Sequence, residues 1–265
     1  MKLFVKTGAV VMSFMLLFGI LFRLNDGETI LTSQSSGRKL PIYCVDRGDE
    51  KKIALSFDAA WGNEDTKNIL DILAKHNVKV TFFMTGGWVS NFPDDVKAIA
   101  AAGHDLGNHS ESHKQMSQLS AAQCEEEIRI VHDKVKELTG VEMNLFRPPY
   151  GDYNNTVVET TNAMGYHCVQ WDVDSLDWKD YGTDSIINTV CNHKHLGPGS
   201  IILCHNGAKY TPAALDSIIT NLKQQGYEFV PISELIYKEN YEMDVEGRQH
   251  LKSGDESTAA PAPSV

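Results

Sequence analysis

The chain has 265 residues and a net charge of −11, with 42% hydrophobic and 22% charged residues. That balance is globular, which excludes wholesale disorder, and the length suits one core with accessory ends. The acidic total excludes a nucleic-acid binder that works through a basic face.

At the front, Lys2 and Lys6 precede an uncharged apolar run over 7–22, and Arg23 follows. The run is apolar on all sides, sits at the terminus and lacks a small-x-small cleavage site behind it. We therefore expect residues 1–24 to be a signal anchor, or a signal peptide if cleaved, rather than a core helix. The flanking lysines stay inside, which predicts an extracytoplasmic, membrane-anchored protein, secreted if the segment is removed. Residues 25–50 read as linker and domain lead-in. From there, short apolar runs alternate with helical periodicity. Strands are predicted over 53–57, 78–84, 104–108, 142–146, 166–171, 200–204 and 227–230. Helices are predicted over 64–76, 94–102, 120–140 and 211–226, the third opened by a Ser120–Gln123 capping box and closed by Gly140. The alternation implies parallel strands with right-handed crossovers. Seven strands predict a distorted parallel (β/α)7-type barrel as a single domain over 51–237. No glycine-rich phosphate loop follows any strand, so no nucleotide partner is expected. Residues 238–265 lack apolar periodicity and end in Pro, Ala and Ser, which predicts a disordered tail. The five cysteines leave at least one thiol unpaired, and Cys168 and Cys204 sit in apolar runs as small core residues.

Polar residues gather just after the predicted strands: Asp58, then His109 and His113, then Arg147, then Asp172, Asp174 and Asp177, then His205. A parallel barrel brings these strand ends to one rim, where active sites lie. The His109/His113 spacing puts both imidazoles on one side of a helical turn, a workable pair of ligands for a divalent metal. Asp58, flanked by Phe57 and Ala59, is expected to be desolvated, with a raised pKa and a base role; the alternative is a helix cap. His205 is the candidate general acid, against a plain core histidine. Arg147 is read either as a fork to a carboxylate or as a structural ion pair with Asp172, Asp174 or Asp177. Tyr150, Trp171 and Trp178 are candidate walls of a sugar site.

These residues stand in five motifs: Ser56-Phe57-Asp58-Ala59-Ala60, His109-Ser110 with His113, Arg147-Pro148-Pro149-Tyr150-Gly151, Asp174-Ser175-Leu176-Asp177-Trp178 and Leu203-Cys204-His205. Their order and spacing resemble the polysaccharide deacetylases with a NodB-homology domain, carbohydrate esterase family four. The resemblance implies a hydrolase that removes N-acetyl groups from amino sugars of peptidoglycan or a related cell-wall polymer. It implies Asp58 as base, His109 and His113 as ligands of a metal (typically zinc, with cobalt, nickel or manganese as alternatives), and His205 as acid oriented by Asp177. Arg147 would position the carboxylates, a backbone N–H near Tyr150 would meet the oxyanion, and Trp178 with Leu203 would hold the acetyl methyl. The chain departs from the family at Ala59, where a second aspartate is the usual third ligand. That leaves three outcomes: Asp58 itself binds metal, a water or Asn63, Glu64 or Asp65 takes the place, or the site is lost. The last would make the chain a non-catalytic wall-binding or sporulation factor. The FDAAWG form of the first motif looks like a branch associated with sporulation and cell-wall modification.

Overall fold

The computed structural model describes residues 37–252. Its strands are β1 (Cys44–Val45), β2 (Lys52–Ala59), β3 (Thr81–Met84), β4 (Asp105–Asn108), β5 (Leu145–Phe146), β6 (His167–Cys168), β7 (Val173–Asp174), β8 (Ile201–Asn206), β9 (Glu228–Phe229), β10 (Tyr241–Met243) and β11 (Arg248–Leu251). Its helices of four residues or more are α1 (Thr66–Lys75), α2 (Gly86–Asn91), α3 (Pro93–Ala101), α4 (Ala121–Thr139), α5 (Asn155–Ala163), α6 (Thr183–Cys191), α7 (Thr211–Gln224) and α8 (Ile232–Leu235). The main sheet runs β6-β5-β4-β3-β2-β8-β7, with β9 paired to the start of β2. Every neighbouring pair in it is parallel.

Strand β2 shows why the sheet forms. It is buried from Ile53 to Ala59, so it reads as a continuous apolar run, as expected where both faces of a parallel sheet are covered. Alternation sorts its side chains. Ile53, Leu55 and Phe57 pack outward with Ile69, Leu73, Leu215 and Ile218 of the surrounding helices. Ala54 faces inward with Ile42, Phe83, Leu145, Ile201, Ile232 and Leu235. Ser56 and Asp58 share the inward parity of Ala54. The same parity puts Cys204 of β8 in the outer core. Apolar side chains thus fill one end of the curl, and polar ones occupy the other.

The barrel expectation is met in its class and corrected in detail. Among the described residues the edge strands β6 and β7 share no ladder, so the sheet is a curled open array rather than a closed barrel. The single strand expected over 166–171 is one of these edges, and the seventh strand on the path is β7, which follows it after a short crossing. Residues 42–45 fill the gap: Ile42 N–H donates to Cys168 O (2.8 Å), Gln170 N–H to Ile42 O (2.7 Å) and Val45 N–H to Gly199 O (3.0 Å). Chain that read as lead-in is therefore built into the fold.

The tail is a further correction. Strands β10 and β11 lie beyond Tyr237, and with β1 they form a second, three-stranded sheet in the order β1-β11-β10. Short strands with mixed polar faces give no periodic signal, which is why 238–252 read as structureless. Residues 253–265, and the expected anchor and most of the linker over 1–36, lie outside the described residues. No described helix is long and apolar enough to cross a membrane. All five cysteines are free and buried.

Candidate active site

Strand parity delivers Asp58 and His205 to one lumen, as register partners on β2 and β8. Arg147 follows β5 and is fully buried. Its Nη1 donates to Asp58 Oδ1 at 2.7 Å, and its Nη2 donates to Ser56 Oγ (2.9 Å) and Gln170 O (3.1 Å). The guanidinium lies over the Phe83 ring, 4.1 Å from its centroid. Arg147 thus holds the Asp58 carboxylate by one nitrogen, not by a two-pronged fork, and spends the other on Ser56 and the Gln170 carbonyl; the structural ion pair expected with Asp172, Asp174 or Asp177 is not formed. Asp172 accepts from Ile201 N–H (2.8 Å) and Ser200 Oγ (3.0 Å), away from the cleft. The expected raised pKa of Asp58 is overturned. Burial does push it up, but the charges of Arg147, His109 and His205 outweigh that, and Asp58 is held below the ordinary carboxylate value. It is a stable carboxylate at neutral pH.

His109 and His113 are brought together, but not by a helical turn. Ser110 (φ 64°) and His113 (φ 52°) are both left-handed, so the chain from Asn108 to His113 is a tight loop. Polar side chains hold it. Ser110 N–H donates to Asn108 Oδ1 (3.0 Å) and His113 N–H to Ser110 Oγ (3.1 Å). Glu127, on α4, accepts from Ser112 N–H (2.8 Å), Ser112 Oγ (2.5 Å) and Lys114 Nζ (2.9 Å). The two imidazoles meet edge-on with centroids 5.0 Å apart. His109 Nδ1 bonds the Arg147 carbonyl at 2.7 Å, so it carries the proton and Nε2 looks toward Asp58 Oδ2, 3.5 Å away. Burial pushes His109 down to about 4, so it is neutral at pH 7. Glu111, between the two histidines in sequence, turns away to an ion pair with Lys134 at 2.7 Å.

Across the lumen, Asp177 holds His205 twice, at Nδ1 (2.7 Å) and at the backbone N–H (2.8 Å), and also accepts from Thr211 Oγ1 (2.6 Å). Burial works against the imidazolium, but the Asp177 bond and charge prevail and raise its pKa. Nδ1–H is therefore committed to Asp177, and Nε2 is the edge left for a substrate. Asp58, His109, His113, Tyr150, Trp171, Asp174, Trp178, Leu203 and His205 line one cleft of about 540 Å³, with Ala60 and Trp61 completing the wall. Every candidate site residue except Arg147, Asp172, Asp177 and Ala59 reaches that wall; Arg147 and Asp177 stand directly behind it, bonded to Asp58 and His205, and Asp172 lies elsewhere. Sequence reasoning missed Trp61, Ser56 and Glu127. The first had a signal, an aromatic beside Asp58; the others are ordinary polar residues whose roles appear only in three dimensions.

The donors at the centre do not make a three-ligand metal site. Ala59 offers a methyl group and is fully buried. The nearby substitutes are occupied: Asn63 bonds Asp95 (2.6 Å), and Asp65 accepts from Asn206 Nδ2 (2.8 Å) and Gly207 N–H (2.8 Å). Glu64 folds back over Gly62, where an added Cβ would meet its Oε2 at 2.1 Å. One Asp58 oxygen is committed to Arg147. Among the described residues no group of three or more His, Cys, Asp or Glu side chains is arranged to hold a metal ion. The two imidazoles do not by themselves fit a resident ion.

The curled sheet, the strand-end carboxylate and the Asp-held histidine define a class of hydrolase fold, and the comparisons agree. A polysaccharide deacetylase family model matches residues 46–169. Peptidoglycan-N-acetylmuramic acid deacetylase PdaA of Bacillus subtilis is 37% identical over 208 residues, 76% of this chain and 77% of that protein. The structure of wild-type BA3943 from Bacillus anthracis, described as a CE4 family pseudoenzyme, superposes with a TM-score of 0.71 at 35% identity, covering 75% of this chain and 69% of that one. A BA3943 mutant described as having restored enzymatic activity gives 0.71 at 36% identity, covering 75% and 72%. The chain belongs to the polysaccharide deacetylase family, carbohydrate esterase family 4.

Proposed function

We propose that this protein is an N-deacetylase of peptidoglycan or a related cell-wall polymer, hydrolysing the amide bond between an acetyl group and an amino sugar. One observation carries the reading. A single cleft holds an ionised carboxylate braced by Arg147 and, as its register partner on the next strand, an imidazole fixed by Asp177. A pure binder has little use for both.

Water attacks the acetyl carbonyl carbon and passes a proton to Asp58. Arg147 keeps that carboxylate charged and aimed. The tetrahedral oxygen meets a backbone N–H near Tyr150. His205 gives its Nε2 proton to the amide nitrogen as the C–N bond breaks, leaving acetic acid, which ionises to acetate, and a free amine. Asp58 then releases the proton it took and His205 takes one up, which restores both groups. Leu203 and Trp178 bound the space for the acetyl methyl. The N-terminal apolar run supports a site of action outside the cytoplasm, at the membrane, and the FDAAWG motif supports a role in wall modification during sporulation.

A second reading, a wall-binding factor without turnover, is favoured by Ala59 and by the likeness to a pseudoenzyme. One experiment separates them. Acetate release from N-acetylglucosamine oligomers and from peptidoglycan is measured alongside bound zinc, cobalt, nickel and manganese. Wild type is compared with Asp58→Asn, His113→Ala and Ala59→Asp. The deacetylase reading expects wild-type acetate release that falls at least about a hundredfold in Asp58→Asn, the range for losing an acid–base group. No release from any wall polymer overturns it. Release only from Ala59→Asp, together with newly retained metal, marks the natural chain as a binder that has lost its third ligand. Melting temperatures accompany each variant, because breaking a buried ion pair costs about 3–5 kcal/mol on its own.

A further inference from the structure

Three aromatic side chains stand half-exposed around the cleft: Trp61 (49%), Trp178 (51%) and Tyr150 (66%). Trp178 and Tyr150 take roles from their motifs; Trp61, which stands in the FDAAWG form of the first motif, takes none. Its indole lies over the His205 imidazole with centroids 5.1 Å apart and planes only 19° from parallel.

An indole on a free turn would not keep that geometry, and this turn is held. The Gly62 carbonyl accepts from Trp88 Nε1 (3.1 Å) and Asn206 Nδ2 (3.2 Å). Asp65 accepts from both Asn206 and Gly207, and Thr66 Oγ1 donates to Asn206 Oδ1 (3.0 Å). Gly207 has φ +86°, and a Cβ there would lie 3.3 Å from Trp61 Cβ and from Gly62 N. Glycine lets the exit of β8 run this close to the turn. Both rings therefore ride on one hydrogen-bonded unit. His205 is on β8, and Trp61 is on a turn fastened to the next two residues of the same segment.

Two consequences follow from an aromatic ring fixed in this way. Asp177 holds one edge of the imidazole, and the indole covers one face, so water is kept off that face and the ring plane is set. Trp61 is still half-exposed and lines the cleft. A pyranose ring carries a flat face of C–H groups, and burying it against an indole removes apolar area from water on both partners. We propose that Trp61 is a positioning residue for His205 and the platform on which the amino-sugar ring stacks. This rests on the amino-sugar reading above, and its test does not need turnover.

The full chain and its Trp61→Phe, Trp61→Leu and Trp61→Ala variants are titrated with the N-acetylglucosamine tetramer by calorimetry, and acetate release is followed where it occurs. Leu and Ala are expected to weaken tetramer binding by about two- to tenfold, the size of one aromatic contact. They should also lower kcat, because His205 loses its cover. Phe should restore most of both. In NMR spectra, the His205 ring protons should carry an upfield ring-current shift that is lost in Leu and Ala and partly kept in Phe. Circular dichroism confirms folding, and Leu and Phe keep the test readable if Ala unfolds. Unchanged tetramer affinity in Leu and Ala overturns the platform, and unmoved His205 resonances overturn the positioning role. A wild type that binds the tetramer through Trp61 but releases no acetate supports this inference and sinks the deacetylase reading. Acetate release with wild-type kcat and KM in Trp61→Leu does the reverse.

Discussion

Asp58 and His205 are displaced in opposite directions from their ordinary values, and that separation sets the pH behaviour. Asp58 is lowered, so it is ionised throughout the neutral range. His205 is raised above 6.5, so the imidazolium persists further into neutral pH. For stability the signs differ. The raised His205 contributes fully below its unfolded pKa, and that contribution is lost as pH rises through the folded value. The lowered Asp58 contributes above its unfolded pKa, and its share is lost as pH falls through the folded value. For catalysis, acetate release should hold across weakly acidic pH and fall as His205 deprotonates. Asp177→Asn removes the charge that sustains the imidazolium. The basic limb of the pH–rate profile should move to lower pH, and an NMR titration of His205 should show the same shift. A limb that stays in place would assign it to another group. The acid–base residues were legible in the sequence because each ends an apolar strand. The direction of the Asp58 shift was not, because Arg147 is 89 residues away in the chain and meets it only in the fold.

At the scale of elements, α4 does more than cover the sheet. Its Ser120–Gln123 capping box and its left-handed Gly140 stop were readable, since caps are local chemistry. Its hold on the histidine loop was not, because Glu127 looks like one more charge in an acidic stretch. Yet Glu127 is buried and bonds both the backbone and side chain of Ser112 as well as Lys114. The loop needs this support, since two left-handed residues in four are disfavoured without it. Glu127→Gln keeps the shape but removes the charge, and Glu127→Ala leaves Ser112 N–H unpartnered. Ser112 is exposed, so water can solvate the freed N–H, and the cost is that of one hydrogen bond to a charged group, about 1.5–3 kcal/mol. Hydrogen exchange should therefore speed up at residues 109–114, more in Ala than in Gln, while exchange in β2 and β8 stays slow. Uniform loss of protection across all three segments would make Glu127 a global support rather than a local one.

For the molecule as a whole, the question is where the domain ends. Between 51 and 237, periodicity located the longer strands and four helices that bury a clear apolar stripe, and passed over the shorter helices Gly86–Asn91, Asn155–Ala163, Thr183–Cys191 and Ile232–Leu235 and the two-residue strand Val173–Asp174. It passed over β10 and β11, whose contribution lies in hydrogen bonds. Gln249 is completely buried and closes a two-way pair with the Tyr237 backbone, accepting from its N–H (2.9 Å) and donating to its carbonyl (2.8 Å). Asp46 N–H donates to Gln249 O, and Tyr43 N–H to Gly247 O, each at 2.8 Å. His250 bonds Asp46 and Asp244 through its two nitrogens, both at 3.0 Å. These contacts clamp residues 42–46, and residues 42–45 fill the gap between the sheet edges β6 and β7. A chain ending at Tyr237 would leave β1 without its partner and expose Ile42 and Val45. With each lost hydrogen bond worth about 1 kcal/mol net, the truncation should remove several kcal/mol and lower the melting temperature by well over about 5 °C. A chain ending at Lys252 keeps the second sheet and should melt like the full protein. Thermal unfolding of the three lengths side by side checks this. Equal melting temperatures for the 237 and 252 forms would mean that the second sheet decorates the domain rather than closing it.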